Sequence, residues 1–267
     1  MSTSPALAVG PIIILTYAHA GDVVLSRALS ENKAVATTHG TGLLPLCFSA
    51  VSTWQNLENR AAAPSAFAVK SIRRLVNSMA IVLGSSTGSN RWCETAYAGV
   101  APAEAFIRVF PEAKFLCLHR SLSGVFGEGL RAYPWGLGDS PFWQQPSPIP
   151  GNNVATISAY WVVRTGQLLE FEDRNPQCSI KVRYEDLVND GRRVQGLIYN
   201  FLGLEAACEP SPPDPYYNAA KKTGFGPVEA EGGFTTAELA QQLDRLPDWL
   251  RARVAELHAR LGYTPLL

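Results

Sequence analysis

Hydrophobic residues form short runs along the chain, and these runs alternate with helical patterns. The first run, Pro11–Tyr17, is continuous and rich in β-branched residues. Such a run is typical of a parallel strand that is buried on both faces of a sheet. A turn of small residues follows it, and a helical pattern begins at Asp22. Further strands are predicted at 80–84, 114–119 and 179–183.

Helical patterns fill the intervals between the predicted strands. They cover 64–80, 102–110, a stretch from about Ser123, 153–173, 194–202, and a closing pair over 235–261 that is interrupted near Pro247. Two proline-rich stretches, 133–152 and 210–233, are predicted loops, and we interpret the first as an ordered surface loop or lid. This alternation predicts a single α/β domain over residues 1–267, with a central parallel sheet flanked by helices on both faces.

Composition and charge exclude several classes of protein. The 267 residues carry 23 Lys and Arg against 23 Asp and Glu, so the basic surface that a nucleic-acid partner needs is not expected. The content of 46% hydrophobic and 17% charged residues excludes a wholly disordered chain. The apolar run 11–17 is too short for a signal segment or a membrane span. We therefore expect a cytoplasmic protein without a nucleic-acid or membrane partner, and the sequence indicates no oligomeric state.

The cysteines do not form a pattern that binds metal or builds a disulfide framework. They are scattered and include no C-x-x-C pair. The five positions are Cys47, Cys93, Cys117, Cys178 and Cys208. We expect reduced thiols and no metal cofactor.

The first strand, turn and helix together predict an anion-binding site. A helix that begins directly after a tight loop presents free backbone N–H groups and the positive end of its dipole. Ala20 and Gly21 of the loop, with Asp22 and Val23 of the first helical turn, would supply these groups. Arg120 follows the predicted strand 114–119, at the strand end where open α/β sheets bind ligands.

Four segments resemble bacterial members of the sulfotransferase family, which transfer sulfuryl groups from 3′-phosphoadenosine 5′-phosphosulfate (PAPS). They are Thr-Tyr-Ala-His-Ala-Gly-Asp at 16–22, Arg-Trp-Cys-Glu-Thr-Ala at 91–96, the strand at 110–120 that ends in Arg, and Val-Arg-Tyr-Glu-Asp-Leu-Val at 182–188 with Asn-Phe-Leu-Gly-Leu at 200–204. The resemblance implies a P-loop-related sulfotransferase fold. It also implies transfer from PAPS, with the desulfated nucleotide PAP as product, to a hydroxyl or amine of a small secondary metabolite.

The resemblance also implies roles for individual residues. Glu94 corresponds to a general base in the bacterial relatives, and Arg120 corresponds to the arginine that grips the 3′-phosphate. Tyr184 corresponds to a tyrosine that contacts the adenine ring. Lys221 and Lys222 resemble, more faintly, a late basic loop that closes over the 3′-phosphate.

The sequence departs from the family pattern at the donor site. His19 stands where the family has a lysine, Asp22 where it has a threonine, Thr95 where it has a lysine, and Glu128 where it has a serine eight residues after the arginine. A histidine keeps a donor but carries charge only near or below pH ~6.5. A carboxylate ~4 Å from a phosphate charge repels it by ~4 kcal/mol at an effective dielectric of 20.

Several interpretations of these residues remain open at this point. Asp22 could be an ordinary helix cap, Glu94 could pair with Arg91, and Arg120 could form a structural salt bridge. Tyr184 could simply pack the following helix. His19 is either a catalytic group or a loop histidine without a role.

Other residues are candidates for the acceptor side. His39 lies near two glycines, and Trp135 and Trp143 lie on the proline-rich loop 133–152. Three functions remain possible: PAPS-dependent sulfuryl transfer, acid/base chemistry on a natural-product intermediate without PAPS in the same cleft, or a non-catalytic binding role. A cleft with inward-facing Asp22 and Glu128 would favour the second, and one filled by Trp135 or Phe142 would favour the third.

Overall fold

Five parallel strands form the centre of the fold. They are β1 (Ile12–Leu15), β2 (Val35–His39), β3 (Arg91–Ala96), β4 (Lys114–His119) and β5 (Ser179–Arg183). The sheet order is β2-β3-β1-β4-β5, and each pairing is parallel. The computed structural model describes residues 10–59, 64–84, 89, 91–205 and 241–263.

The middle of the sheet is fully buried, as its sequence predicts. Ile12, Ile13 and Ile14 of β1 have no exposed surface, and Phe115–Leu118 of β4 have none either. Because helices cover both faces of a parallel sheet, its central strands consist of continuous apolar residues rather than alternating ones. The predicted single α/β domain with a central parallel sheet is confirmed.

Helices connect the strands and pack on the sheet. They are α1 (Asp22–Ser30), α2 (Leu43–Leu57), α3 (Ala66–Gly84), α4 (Val100–Val109), α5 (Leu122–Ala132), α6 (Asn153–Arg174), α7 (Tyr184–Asn189), α8 (Gly191–Leu202) and α9 (Asp248–Leu261). A short 3₁₀ helix covers Pro141–Gln144. The long α6 packs against α4, α5 and α9, while α2 packs against α3 and α4. Within the ranges given above, no helix is both long enough and apolar enough to cross a membrane.

One predicted strand is wrong, and two observed strands were not predicted. Residues 80–84 are the last turn of α3, where Val82 is 74% exposed although a central strand would bury it. A short apolar run does not by itself distinguish a strand from a helix segment. The missed strands β2 (VATTH) and β3 (RWCETA) carry polar residues, yet every residue of β3 is buried. The predicted loop 210–233 lies outside the described residues.

The parallel arrangement brings residues from distant parts of the sequence to one edge of the sheet. The carboxyl ends of the five strands lie side by side, so the residues at or just after these ends face a common cleft. Across this edge stand His39 of β2, Tyr97 after β3, the loop after β1, Arg120 after β4 and Tyr184 after β5.

Candidate functional site

The loop between β1 and α1 presents open backbone donors at the centre of the edge. His19 and Gly21 both adopt left-handed backbone conformations, with φ of 64° and 91°. Ala18 N–H donates to Tyr160 Oη at 3.1 Å, and Ala20 N–H donates to Tyr17 O at 3.2 Å. In the described part of the chain, the N–H groups of Gly21, Asp22 and Val23 have no hydrogen-bond partner. Three donors at a helix N-terminus form an anion-binding arrangement.

Gly21 is required here for two independent reasons. Its φ of 91° is unfavourable for any residue with a Cβ. A Cβ at this position would also lie 2.1 Å from Cδ2 of Tyr184. The Tyr184 ring is buried and lies directly against the loop, and burial raises the pKa of its phenol. The loop conformation and the Tyr184 ring therefore depend on each other.

Arg120 is buried beside the loop and is paired with Glu128. Its Nη1 donates to His19 O at 2.9 Å and forms an ion pair with Glu128 Oε2, two helical turns further along α5. Its guanidinium lies 4.2 Å from the centre of the Tyr184 ring. Gly124 makes room for this side chain, because a Cβ there would lie 2.6 Å from Arg120 Nε. The carboxylate predicted to oppose a phosphate thus faces inward and contacts the predicted phosphate-binding arginine.

His19 turns its side chain toward the proline-rich loop. Its ring stacks on Phe142 with a centroid distance of 5.4 Å, and Tyr133 meets its other side edge-on at 5.9 Å. Burial lowers the pKa of His19 despite the carboxylates of Glu128 and Asp22 nearby. Its Nε2 is buried and has no hydrogen-bond partner in the described residues. The lowered pKa favours the neutral imidazole, and one ring nitrogen is buried without a partner among the described residues.

Asp22 connects the loop to the neighbouring strands. Its side chain is nearly buried, and its Oδ2 accepts a hydrogen bond from Tyr97 Oη at 2.8 Å. His39 Nδ1 lies 3.5 Å from the same oxygen. Burial and the Asp22 charge raise the pKa of Tyr97, so its phenol stays protonated and donates. Asp22 does not cap α1 with its side chain; it orients His39 and Tyr97 instead.

Glu94 is buried on β3, three residues before Tyr97. Its carboxylate accepts hydrogen bonds from Thr41 N and Thr41 Oγ1, both at 2.8 Å, and from Thr38 Oγ1. Arg91 points elsewhere and donates to Gly10 O at 2.9 Å and to Leu202 O at 2.5 Å. The alternative of an ion pair between Glu94 and Arg91 is wrong, because the two side chains bind separate partners.

A cavity of about 190 Å³ opens beside Glu94. Its lining consists of Gly40, Gly42, Leu44, Pro45, Glu94, Thr95, Ala96, Tyr97 and Ala98. The hydroxyl of Thr95 is buried and has no hydrogen-bond partner in the described residues. The cavity combines apolar walls with a few polar groups, as small-molecule sites do, but it is smaller than the roughly 300–1,000 Å³ of pockets for drug-sized ligands.

Several site residues predicted from the sequence lie away from the cavity or outside the described residues. Trp135 is 98% exposed and Trp143 is 65% exposed, and neither lines the cavity. Phe142, which lies between them in the sequence, is fully buried against His19. Lys221 and Lys222 lie outside the described residues. Where side chains are described, no group of three or more potential metal ligands lies together.

Sequence reasoning missed three residues that shape the cleft. Tyr97 directly follows β3, so a correct prediction of that strand would have placed it at the sheet edge. Tyr160 and Arg164 lie on α6 and bind main-chain atoms of the strand ends: Tyr160 accepts from Ala18 N–H, and Arg164 Nη2 lies 3.4 Å from Ala98 O. No local sequence signal distinguishes these two from ordinary helix residues.

Comparisons with solved structures agree with this fold. The chain superposes on the sulfotransferase domain of the curacin biosynthetic pathway, with a TM-score of 0.59 and 16% identity over 96% of this chain and 99% of that one. It also superposes on the sulfotransferase domain of the Synechococcus PCC 7002 olefin synthase, with a TM-score of 0.55 and 16% identity over 99% of both chains. For a sulfotransferase from Alicyclobacillus acidocaldarius the TM-score is 0.57, with 14% identity over 96% of this chain and 97% of that one.

A search of curated proteins found no match. At such low identities the structural likeness shows the fold alone. The sequence model of the sulfotransferase family, however, matches residues 11–208, which is most of the chain and includes every strand of the sheet. The chain therefore belongs to the sulfotransferase family.

Proposed function

We propose that this protein transfers a sulfuryl group from a nucleoside 5′-phosphosulfate to a hydroxyl or amine of a small molecule. The observation that carries the proposal is the set of open N–H donors at Gly21, Asp22 and Val23, at the carboxyl edge of a sulfotransferase-family sheet. A bound phosphosulfate would supply the sulfuryl group, and its nucleotide phosphate would leave. Backbone donors at a helix N-terminus stabilise the charge that such a leaving group develops.

The family implies PAPS as the donor, and the described residues fit only part of it. The 5′ end fits, because the loop after β1 offers three unpartnered N–H groups, and the Asp22 carboxylate at the same helix end is turned to Tyr97 and His39. His19 Nε2 is a further unpartnered group beside that loop. The 3′-phosphate does not fit the described residues, because Glu128 already occupies the Arg120 guanidinium. The proposal therefore rests on the 5′-phosphosulfate end alone.

His39 is the group best placed to take a proton from an acceptor. It stands at the end of β2 next to cavity-lining Gly40, and its side chain is 40% exposed. Asp22 beside Nδ1 orients the ring, which leaves the other ring nitrogen to accept a proton. Glu94 is a weaker candidate than the sequence suggested, since Thr38 and Thr41 already donate to its oxygens.

The cavity limits the acceptor to a small group with few charges. Its volume of about 190 Å³ accommodates a single ring or a short chain, and its lining includes Glu94 but no basic residue. A negatively charged acceptor would be repelled by Glu94, whereas a neutral phenol or alcohol, or a protonated amine, would not.

A transfer assay tests this function. The protein is incubated with a phosphosulfate donor and a pool of small phenols, alcohols and amines, and mass spectrometry follows sulfated products together with desulfated nucleotide. We expect acceptor-dependent nucleotide release that stops in Gly21→Ala. A protein that binds neither 3′,5′-ADP nor 5′-AMP by calorimetry contradicts the proposal.

A second candidate function is acid/base chemistry without a nucleotide. The observation that favours it is Asp22, which contacts His39 and Tyr97, beside a cavity lined by Tyr97 and Glu94, with Glu128 also turned inward. Absence of nucleotide binding, combined with binding of small amines or phenols to the cavity, would select this alternative. A purely non-catalytic role is less well supported, because Phe142 fills the space beside His19 but leaves the cavity at Glu94 open.

A further inference from the structure

We infer that Glu128 takes the place of a phosphate group of the donor, so that this protein uses a nucleoside 5′-phosphosulfate without a 3′-phosphate. This inference rests on the proposed sulfuryl transfer and names its donor class. Glu128 would then be the specificity-determining residue of the donor site. The argument follows from how Arg120 and Glu128 are held.

The charge of Arg120 is already balanced inside the protein. Glu128 Oε2 forms an ion pair with Arg120 Nη1, and the Arg120 side chain is only 2% exposed. The same Nη1 also donates to the carbonyl of His19. An incoming phosphate at this guanidinium would have to displace a carboxylate that is attached to the same domain. An internal partner loses no translational freedom on pairing, so it competes strongly with a free ligand.

Glu128 is itself held on both sides. Its second oxygen, Oε1, lies 3.5 Å from Nη2 of Arg131, one turn further along α5, and its side chain is only 12% exposed. Turning Glu128 away from Arg120 would leave a buried guanidinium without its counter-charge, which is costly. A 3′-phosphate beside the unmoved carboxylate would be repelled instead, and the repulsion corresponds to a loss in affinity of about a hundredfold or more.

The packing shows that this pair is built into the site. Gly124 gives the Arg120 side chain its path along α5, and the Tyr184 ring lies under its guanidinium at 4.2 Å. The loop at Gly21 also lies against the Tyr184 ring, and its N–H groups at Gly21, Asp22 and Val23 keep no partner among the described residues. The described cleft therefore has one open anion position, which suits the 5′-phosphosulfate, and one position that the protein fills with its own carboxylate.

Calorimetry with two nucleotides tests the inference on the unmodified protein. The probes are 5′-AMP, which carries only the 5′-phosphate, and 3′,5′-ADP, which adds the 3′-phosphate. We expect 3′,5′-ADP to bind no more tightly than 5′-AMP. If 3′,5′-ADP binds tighter by more than about threefold, the inference is overturned while the proposed function stands. If neither nucleotide binds, the proposed function fails first, and the inference fails with it.

Substitution of Glu128 tests which residue is responsible. In Glu128→Ser we expect the affinity for 3′,5′-ADP to rise about tenfold or more, and that for 5′-AMP to change little. Glu170→Ser is the matched control, because Glu170 pairs with Arg174 on the outer part of α6. Glu128→Gln keeps the shape and removes only the charge, so it replaces the serine variant if that variant does not fold. Unchanged 3′,5′-ADP affinity in the folded Glu128 variant contradicts the inference.

Discussion

The two anion positions that we propose for this cleft differ in the groups that form them. At the loop after β1, the donors are backbone N–H groups, and they remain open although the loop carries His19 and Asp22 in unusual places. At Arg120, the charge comes from one side chain, and one substitution at Glu128 is enough to neutralise it. A backbone site is set by the fold and by Gly21, whereas a side-chain site changes with a single residue. As sequences in the family diverge, we therefore expect the side-chain site at Arg120 to change before the backbone site at the loop after β1.

Gly21→Ala should have the largest effect, because it distorts the loop that carries the open N–H donors. The added Cβ combines an unfavourable φ of 91° with a contact at 2.1 Å to the Tyr184 ring. We expect the free energy of unfolding to fall by about 3 to 4 kcal/mol and nucleotide binding to be lost. Urea unfolding and calorimetry measure the two effects.

Gly203→Ala is the control for backbone strain alone. Gly203 has a φ of 66°, and nothing lies within 4 Å of an added Cβ. The expected loss is about 1 kcal/mol with nucleotide binding intact. Equal losses in the two variants would show that the contact between Gly21 and Tyr184 has no structural role.

Arg120→Met should have the next largest effect, because it removes the buried partner of Glu128. Glu128 then keeps only the half-exposed Arg131 as a partner, and we expect a loss of about 3 kcal/mol in the free energy of unfolding. Adding Glu128→Gln should recover part of that loss, since the buried charge is gone. The double-mutant cycle from urea unfolding measures the coupling between the two residues. Strictly additive losses would contradict the pairing.

His39→Asn extends the comparison to the acceptor side. If His39 takes the acceptor proton, the substitution should lower kcat about a hundredfold and leave nucleotide binding unchanged. Asp22→Asn should give a smaller loss, because Asp22 orients the ring without contacting the acceptor proton. Steady-state kinetics measure kcat in both variants, and His39→Asn is the decisive one. A normal kcat in this variant would return the role of base to Glu94.

The smallest effect concerns the pH dependence of stability. Burial lowers the pKa of His19 from its ordinary value of 6.5, so the unfolded chain takes up this proton at a higher pH than the folded one. The contribution of His19 to stability is therefore complete above that value and is lost as the pH falls below it. His19→Gln should weaken the decline of the urea midpoint between about pH 7 and pH 5.5. An unchanged decline would place the acid sensitivity on another group.

Much of the fold and part of the site could be predicted from the sequence. The β-branched run of β1 and the apolar run of β4 identify buried parallel strands, and the small-residue loop between β1 and α1 indicates where the open backbone donors lie. The strands β2 and β3 were missed because they carry the polar residues that line the cleft. Polar residues in a buried strand contradict the local pattern, and this occurs most often where a site is built.

The partners within the site could not be predicted, because they depend on tertiary packing. Nothing in the sequence brings Asp22 to Tyr97, which is 75 residues away, or His39 to the same carboxylate. The spacing between Arg120 and Glu128 allowed a contact, but only the structure shows that α5 turns Glu128 inward. Phe142 illustrates the same limit: its two tryptophan neighbours on the loop are exposed, while it is buried against His19.

Backbone amide chemical shifts during a titration with 5′-AMP test the central claim most directly. The claim is that the N-terminus of α1 binds the phosphate of a nucleotide donor. The amide signals of Gly21, Asp22 and Val23 should shift most, because these N–H groups have no partner among the described residues. Signals near Glu94 in the cavity should move little. Saturating nucleotide that leaves the three amides unmoved would contradict the account.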